Sequence, residues 1–171
     1  MLSRPDRNEY APFYANYISK VPNGDLLNFM ELQPDEFYGL VNDLSDEEAS
    51  VAPAPGKWSV KQVLGHLCDT ERIMGYRALR FARADKTEIE GFEQDDYVAA
   101  ANSNARSTTQ LLAELKSVRG ATLSLLESFT TAQSERSGIA NGKSISVRAL
   151  AYVIAGHAQH HLDLMRQQLA G

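Results

Sequence analysis

The chain has 171 residues, enough for one domain with a substantial core. Hydrophobic residues make up 43% and charged residues 23%, an ordinary globular balance, and the net charge of −5 argues against nucleic-acid binding, which draws its affinity from a basic face. The single cysteine excludes an internal disulfide and fits a reducing, cytoplasmic setting; the first stretch has charges and prolines where a secretory h-region would stand, and no run approaches the roughly 20 apolar residues of a membrane span.

Residues 1–24 alternate polar and aromatic side chains, with Tyr10, Phe13, Tyr14 and Tyr17 at helical spacing. This predicts a short N-terminal helical arm, closed by Pro22-Asn23-Gly24 and packed on the single domain of residues 1–171. Asp25 can cap a first long helix carrying Leu26, Met30, Phe37, Leu40, Val41 and Leu44. Pro34 removes a backbone donor and clashes with the preceding turn, so a kink or restart is expected there. Residues 45–57, with Pro53, Pro55 and Gly56, read as a loop. Ser59 and Gln62 form the capping-box signature of a second helix, whose apolar face (Val63, Leu67, Met74, Ala78, Phe81) runs to about Ala84.

Residues 85–106 are acidic and irregular and read as a solvated loop with no catalytic part. Ser107 and Gln110 repeat the capping box for a third helix to about Thr130. Residues 132–144 read as a loop, after which Ser146 caps a last helix to Leu169. With no strand signal and no internal repeat, the pattern is an all-α bundle of four long helices. Loop lengths leave up-down-up-down and up-down-down-up both open.

Three of the four histidines, His157, His160 and His161, fall in the last helix, and His66 falls in the second. Residues four apart on a helix differ by only about 40° around its axis, so His157 and His161 project together. They continue the stripe Val147, Leu150, Ile154 and Leu164 into the bundle. His160 is turned about 60° from His157 and about 100° from His161, onto the flank. Buried imidazoles need partners for their ring nitrogens, and a divalent cation at about 2.0–2.1 Å satisfies one from each. An open catalytic site takes a third ligand, and His66, at the border of the second apolar face, is the histidine left to supply it.

The bland alternative, that each histidine packs or bonds a carbonyl, accounts for them singly but not for their confinement to two helices. Glu-x-x-His and His-Glu-x-x-His are absent. Cys68, about 200° round from His66, reads as a core thiol. Asp69 and Glu71 are candidates for orienting a ligand ring or serving as a base; with Arg72, Arg77 and Arg80 near, a surface salt bridge is the competing role for both.

The run Lys57-Trp58-Ser59-Val60-Lys61-Gln62-Val63-Leu64-Gly65-His66-Leu67-Cys68-Asp69-Thr70-Glu71-Arg72 is followed by Tyr76-Arg77-Ala78-Leu79-Arg80 and later by Gly156-His157-Ala158-Gln159-His160-His161. Together these resemble the DinB/YfiT-like superfamily, from about Asp25 onward. The resemblance implies a four-helix bundle of up-down-down-up connectivity, commonly a homodimer. It also implies one divalent transition metal, nickel or zinc first and iron or manganese next. Its three ligand histidines match His66, His157 and His161, and His160 matches the member of the His-His pair that is not a ligand. Relatives are described as metal-dependent hydrolases, or resemble transferases and isomerases that use a low-molecular-weight thiol such as bacillithiol, mycothiol or glutathione.

Two functions compete. The first is a metal-dependent enzyme that activates a thiol or water for attack on a small-molecule substrate. The second is a non-catalytic, dimeric metal-binding or stress-response module in which the ion holds helices together. A closed four-ligand site favours the module; an open coordination position beside a pocket favours the enzyme. A DNA-directed role rests on the family's name alone and is disfavoured by the charge.

Overall fold

The computed structural model describes residues 2–170. The N-terminal arm passes through two 3₁₀ turns, Arg7–Glu9 and Pro12–Tyr14, into helix α1 (Ala15–Lys20). Then follow α2 (Leu26–Val41), α3 (Val60–Ala82), α4 (Gln94–Ala101), α5 (Thr108–Glu127), α6 (Thr131–Ser134), the hairpin β1 (Ser137–Ala140) and β2 (Lys143–Ser146), and α7 (Val147–Leu169). Each long helix starts where the chain offers a cap. The side chains of Asp25, Ser59, Ser107 and Ser146 each accept an N–H from the first turn, satisfying an amide the helix leaves unpaired. No helix among the described residues is long and apolar enough to cross a membrane.

The long helices α2, α3, α5 and α7 enclose two stacked apolar clusters. One joins the start of α2 and of α7 (Leu26, Met30, Leu150, Ile154) to the end of α3 and of α5 (Met74, Phe81, Leu126). The other joins Phe37, Leu162 and Met165 to Leu64, Leu67, Leu111 and Leu115. So α2 and α7 run one way and α3 and α5 the other, which is the up-down-down-up connectivity. α3 packs against both α5 and α7, and so does α2.

Between the clusters lies a buried polar layer, and Pro34 explains part of it. α2 continues through Pro34 without a restart and ends at Val41, short of Leu44. The carbonyl that residue 34 would have bonded, that of Met30, accepts Arg119 Nη1 at 2.7 Å instead. The same nitrogen donates to Gln33 Oε1 at 2.7 Å, and Gln33 Nε2 donates to the Ala155 carbonyl at 2.9 Å. Arg119 Nε and Nη2 clasp the two Glu71 oxygens at 2.8 Å each. One guanidinium therefore ties α2, α3 and α5 together and, through Gln33, reaches α7.

Two stretches differ from expectation. Within residues 85–106, Asp95 and Asp96 sit in the first turn of α4, where they complement the helix dipole, and Val98 is buried. Residues 132–144, read as a loop with no strand signal, instead take in most of α6, all of β1 and the start of β2, the two strands pairing antiparallel with Ala140 opposite Lys143. The turn residues Asn141 (φ 51°) and Gly142 (φ 66°) both occupy the left-handed region that a two-residue hairpin turn requires.

Candidate metal centre

Antiparallel packing of α3 on α7 brings His66, His157 and His161 together, all buried. His157 Nε2 lies 3.0 Å from His66 Nε2 and 3.2 Å from His161 Nε2. Hydrogen bonding cannot satisfy this arrangement. A neutral ring nitrogen has either one proton or one in-plane lone pair, so His157 Nε2 can serve one neighbour and not both. Three converging lone pairs around a cation can: nitrogens at about 2.0–2.1 Å from a tetrahedral ion stand roughly 3.3 Å apart. Their potential ligand atoms lie within 4.8 Å of one another, and no carboxylate or fourth histidine joins the group among the described residues.

Electrostatics agree with this donor set. Burial holds the His66 imidazole at about 4 and His161 at about 3, with His66 and His160 beside His161 adding to the depression. Burial and the neighbouring rings hold His157 well below its ordinary value. All three are neutral at pH 7, so their lone pairs are free without proton loss. Thr70 Oγ1 stands 3.4 Å from His66 Nδ1 and accepts from it in the tautomer that frees Nε2.

Aromatic rings wall the centre. The Trp58 ring lies 4.7 Å from His66 and 6.4 Å from His161, centroid to centroid, and Tyr17 meets His157 edge-on at 5.4 Å. Tyr17 reaches this position because α7 has Gly156 beside it: a Cβ there would lie 2.0 Å from the Tyr17 carbonyl oxygen. His160 is off the centre, against Tyr17 at 5.6 Å. Cys68 is a core thiol, pushed up to about 12 by burial.

Beside His66 and His157 is a cavity of about 290 Å³ whose walls include Tyr14, Tyr17, Met74, Arg77, Phe92 and Asn141. Gly91, Phe92, Glu93 and Gln94 close one side, so the acidic segment expected to be a bystander builds part of the site. It is held there by Ile89, which donates to the Ile139 carbonyl at 3.0 Å and accepts from the Asn141 amide at 2.9 Å. His161 faces a separate groove of about 550 Å³ lined by Trp58 and Met165.

Of the acidic candidates, Glu71 lines the cavity but is buried, and both its oxygens are held by Arg119 rather than by a surface arginine. Asp69 lies on the flank of α3 with Arg72 Nη1 at 3.8 Å, and Thr70, not Asp69, meets the His66 ring. Sequence patterning did not bring Thr70, Trp58 or Arg119 to the site, and it placed Tyr17 only on the aromatic face of the N-terminal arm. Thr70 lies four residues from His66, the spacing that places it on the same face.

Comparison with known proteins follows the same lines. A candidate metal-dependent hydrolase of Oceanobacillus iheyensis is 30% identical over 125 residues, 71% of this chain and 70% of that protein. Another from Geobacillus thermodenitrificans is 27% identical over 130 residues, 75% and 73% of the two chains. Among solved structures, YfiT from Bacillus subtilis, described as a metal-dependent hydrolase candidate with an unusual four-helix bundle topology, superposes with a TM-score of 0.77 at 18% identity. The match covers 97% of this chain and 91% of that one. The model of the DinB superfamily matches residues 30–165, and the chain belongs to that superfamily.

Proposed function

We propose that the protein is a metal-dependent enzyme that uses the three-histidine centre to activate water or a low-molecular-weight thiol for attack on a small molecule. One observation carries this: three buried, neutral imidazoles converge on one point at the wall of a cavity. His66, His157 and His161 would hold the ion, which supplies Lewis acidity that makes a water or thiol nucleophilic near neutral pH. Imidazole donors suit nickel or zinc. Thr70 keeps the His66 ring in the tautomer that frees Nε2, and Trp58 and Tyr17 pack against the rings. Hydrolysis has the support of the relatives' names, while thiol transfer and a homodimeric assembly extend the proposal. The absence of a fourth protein ligand among the described residues favours an enzyme over a structural module.

The test is metal content by mass spectrometry on untagged protein. We expect about one equivalent of a transition metal in the native chain, none in His157→Ala, and near-native content in His160→Ala. No metal after reconstitution, or equal loss in both variants, refutes the assignment. Chelation should leave the helix content nearly unchanged; cooperative unfolding would transfer the ion to the structural role.

A further inference from the structure

We propose that the cavity takes a small molecule bearing an oxyanion group such as a carboxylate, and that Arg77 holds that group. This names the substrate class of the site described above and rests on that reading.

The molecule has two arginines that are each only 2% exposed, and their surroundings differ. Arg119 has the Glu71 carboxylate in a two-pronged grip. Arg77 has no carboxylate. It meets Met74 Sδ at 3.6 Å, the Glu90 carbonyl at 3.0 Å and the Tyr14 hydroxyl, and its Nε has no acceptor. That Nε is the buried side-chain polar atom left unpartnered among the described residues. A buried guanidinium without a counter-ion is unfavourable, and its planar fork fits a carboxylate.

Arg77 also lines the cavity. On α3, His66, Thr70, Met74 and Arg77 all face it, because eleven residues make three turns plus only about 20°. The Cα atoms of His66 and Arg77 stand roughly 16 Å apart along the axis, and helical side chains lean toward the N-terminus, so the guanidinium reaches back toward the histidines. Other charges on the wall do not answer it. Glu71 belongs to Arg119, and Glu93 makes no ion pair with Arg77. Between the two ends Leu67, Met74, Val153 and Ile154 give the wall its apolar part, beside Thr70 and the Glu71 carboxylate that Arg119 holds. The ligand is therefore short, with an apolar middle, an anion at one end and its reacting group at the other. A volume of about 290 Å³ lies at the small end of ligand pockets.

The competing role is mechanical, with Arg77 pinning residues 85–93 through the Glu90 carbonyl. Calorimetric titration with hexanoate and with neutral hexanamide separates the two. The native protein should bind hexanoate about tenfold tighter than hexanamide, and Arg77→Met should lose that preference. Its thermal midpoint should be unchanged or higher, since a buried unpaired cation has gone. Arg77→Lys, which keeps the charge but not the fork, should retain part of the preference. No preference in the native protein, or a preference that survives in Arg77→Met, overturns the proposal. His157→Ala separates this from the metal reading: it should keep the preference while losing metal. A preference lost there and kept in Arg77→Met would put the carboxylate on the ion instead. A native protein that holds no metal yet shows an Arg77-dependent preference sinks the metal reading and leaves the anion subsite standing.

Discussion

Arg119→Met tests the polar layer that holds the frame of the site. The substitution leaves the Glu71 carboxylate without its cation, and the Met30 carbonyl and Gln33 amide oxygen without a donor. Water replaces these partners poorly, since Gln33 is fully buried and Glu71 is 5% exposed, with the cavity beside it. Breaking one side of a buried pair costs about 3–5 kcal/mol, and the orphaned oxygens add about 1 kcal/mol each. Against a total stability of about 5–15 kcal/mol this is severe, and it corresponds to a fall in thermal midpoint on the order of 10–20 °C. Urea unfolding followed by circular dichroism, with linear extrapolation, measures it. Glu71→Met/Arg119→Met removes the stranded charge and should recover about half of the loss. Pro34→Ala restores a backbone donor to the Met30 carbonyl, so Arg119→Met should cost about 1 kcal/mol less in that background. A loss below about 1 kcal/mol for Arg119→Met alone, or no recovery in the double variant, would refute the reasoning.

Metal-stripped protein should lose stability as the pH falls. His66 has a folded value of about 4 against an ordinary 6.5, so the unfolded chain takes up a proton that the folded site refuses. The loss begins near 6.5, continues to about 4 and is absent above 7; for His66 it is on the order of 2 kcal/mol by about pH 5. Urea midpoints at the two pH values should show a smaller fall in His66→Gln, and an equal fall would count against it. Gly156→Ala drives a Cβ to 2.0 Å from the Tyr17 backbone and should cost about 1–3 kcal/mol, whereas Gly120→Ala meets nothing within 4 Å and should gain up to about 1 kcal/mol. Thermal midpoints moving the same way in both would refute the close-approach argument.

Helix positions and the histidine pair were legible because they depend on neighbours along the chain. Ser59 with Gln62 and Ser107 with Gln110 announced two of the long helices, and both boxes form. The four-residue spacing of His157 and His161 put their rings on one face, and the structure adds His66 to them. The hairpin was not legible and its residues read as a loop: its strands are only four residues each, too short for an alternating pattern, although Asn141-Gly142 suits a hairpin turn. α4 was masked by the acidic residues that complement its first turn.

Other features depend on groups brought together from distant parts of the chain. Arg77 and Arg119 are the same residue type, each on a long helix, yet packing gives one a carboxylate and leaves the other facing a cavity. Likewise the Met30 carbonyl that Pro34 leaves without an N–H is met by an arginine arriving from α5. Helical periodicity is a backbone property, so it says which residues share a face. Which face meets which, and at what height, follows from burying the two apolar clusters at once, and that long-range packing places Tyr17, Trp58 and the 91–94 segment around the histidines.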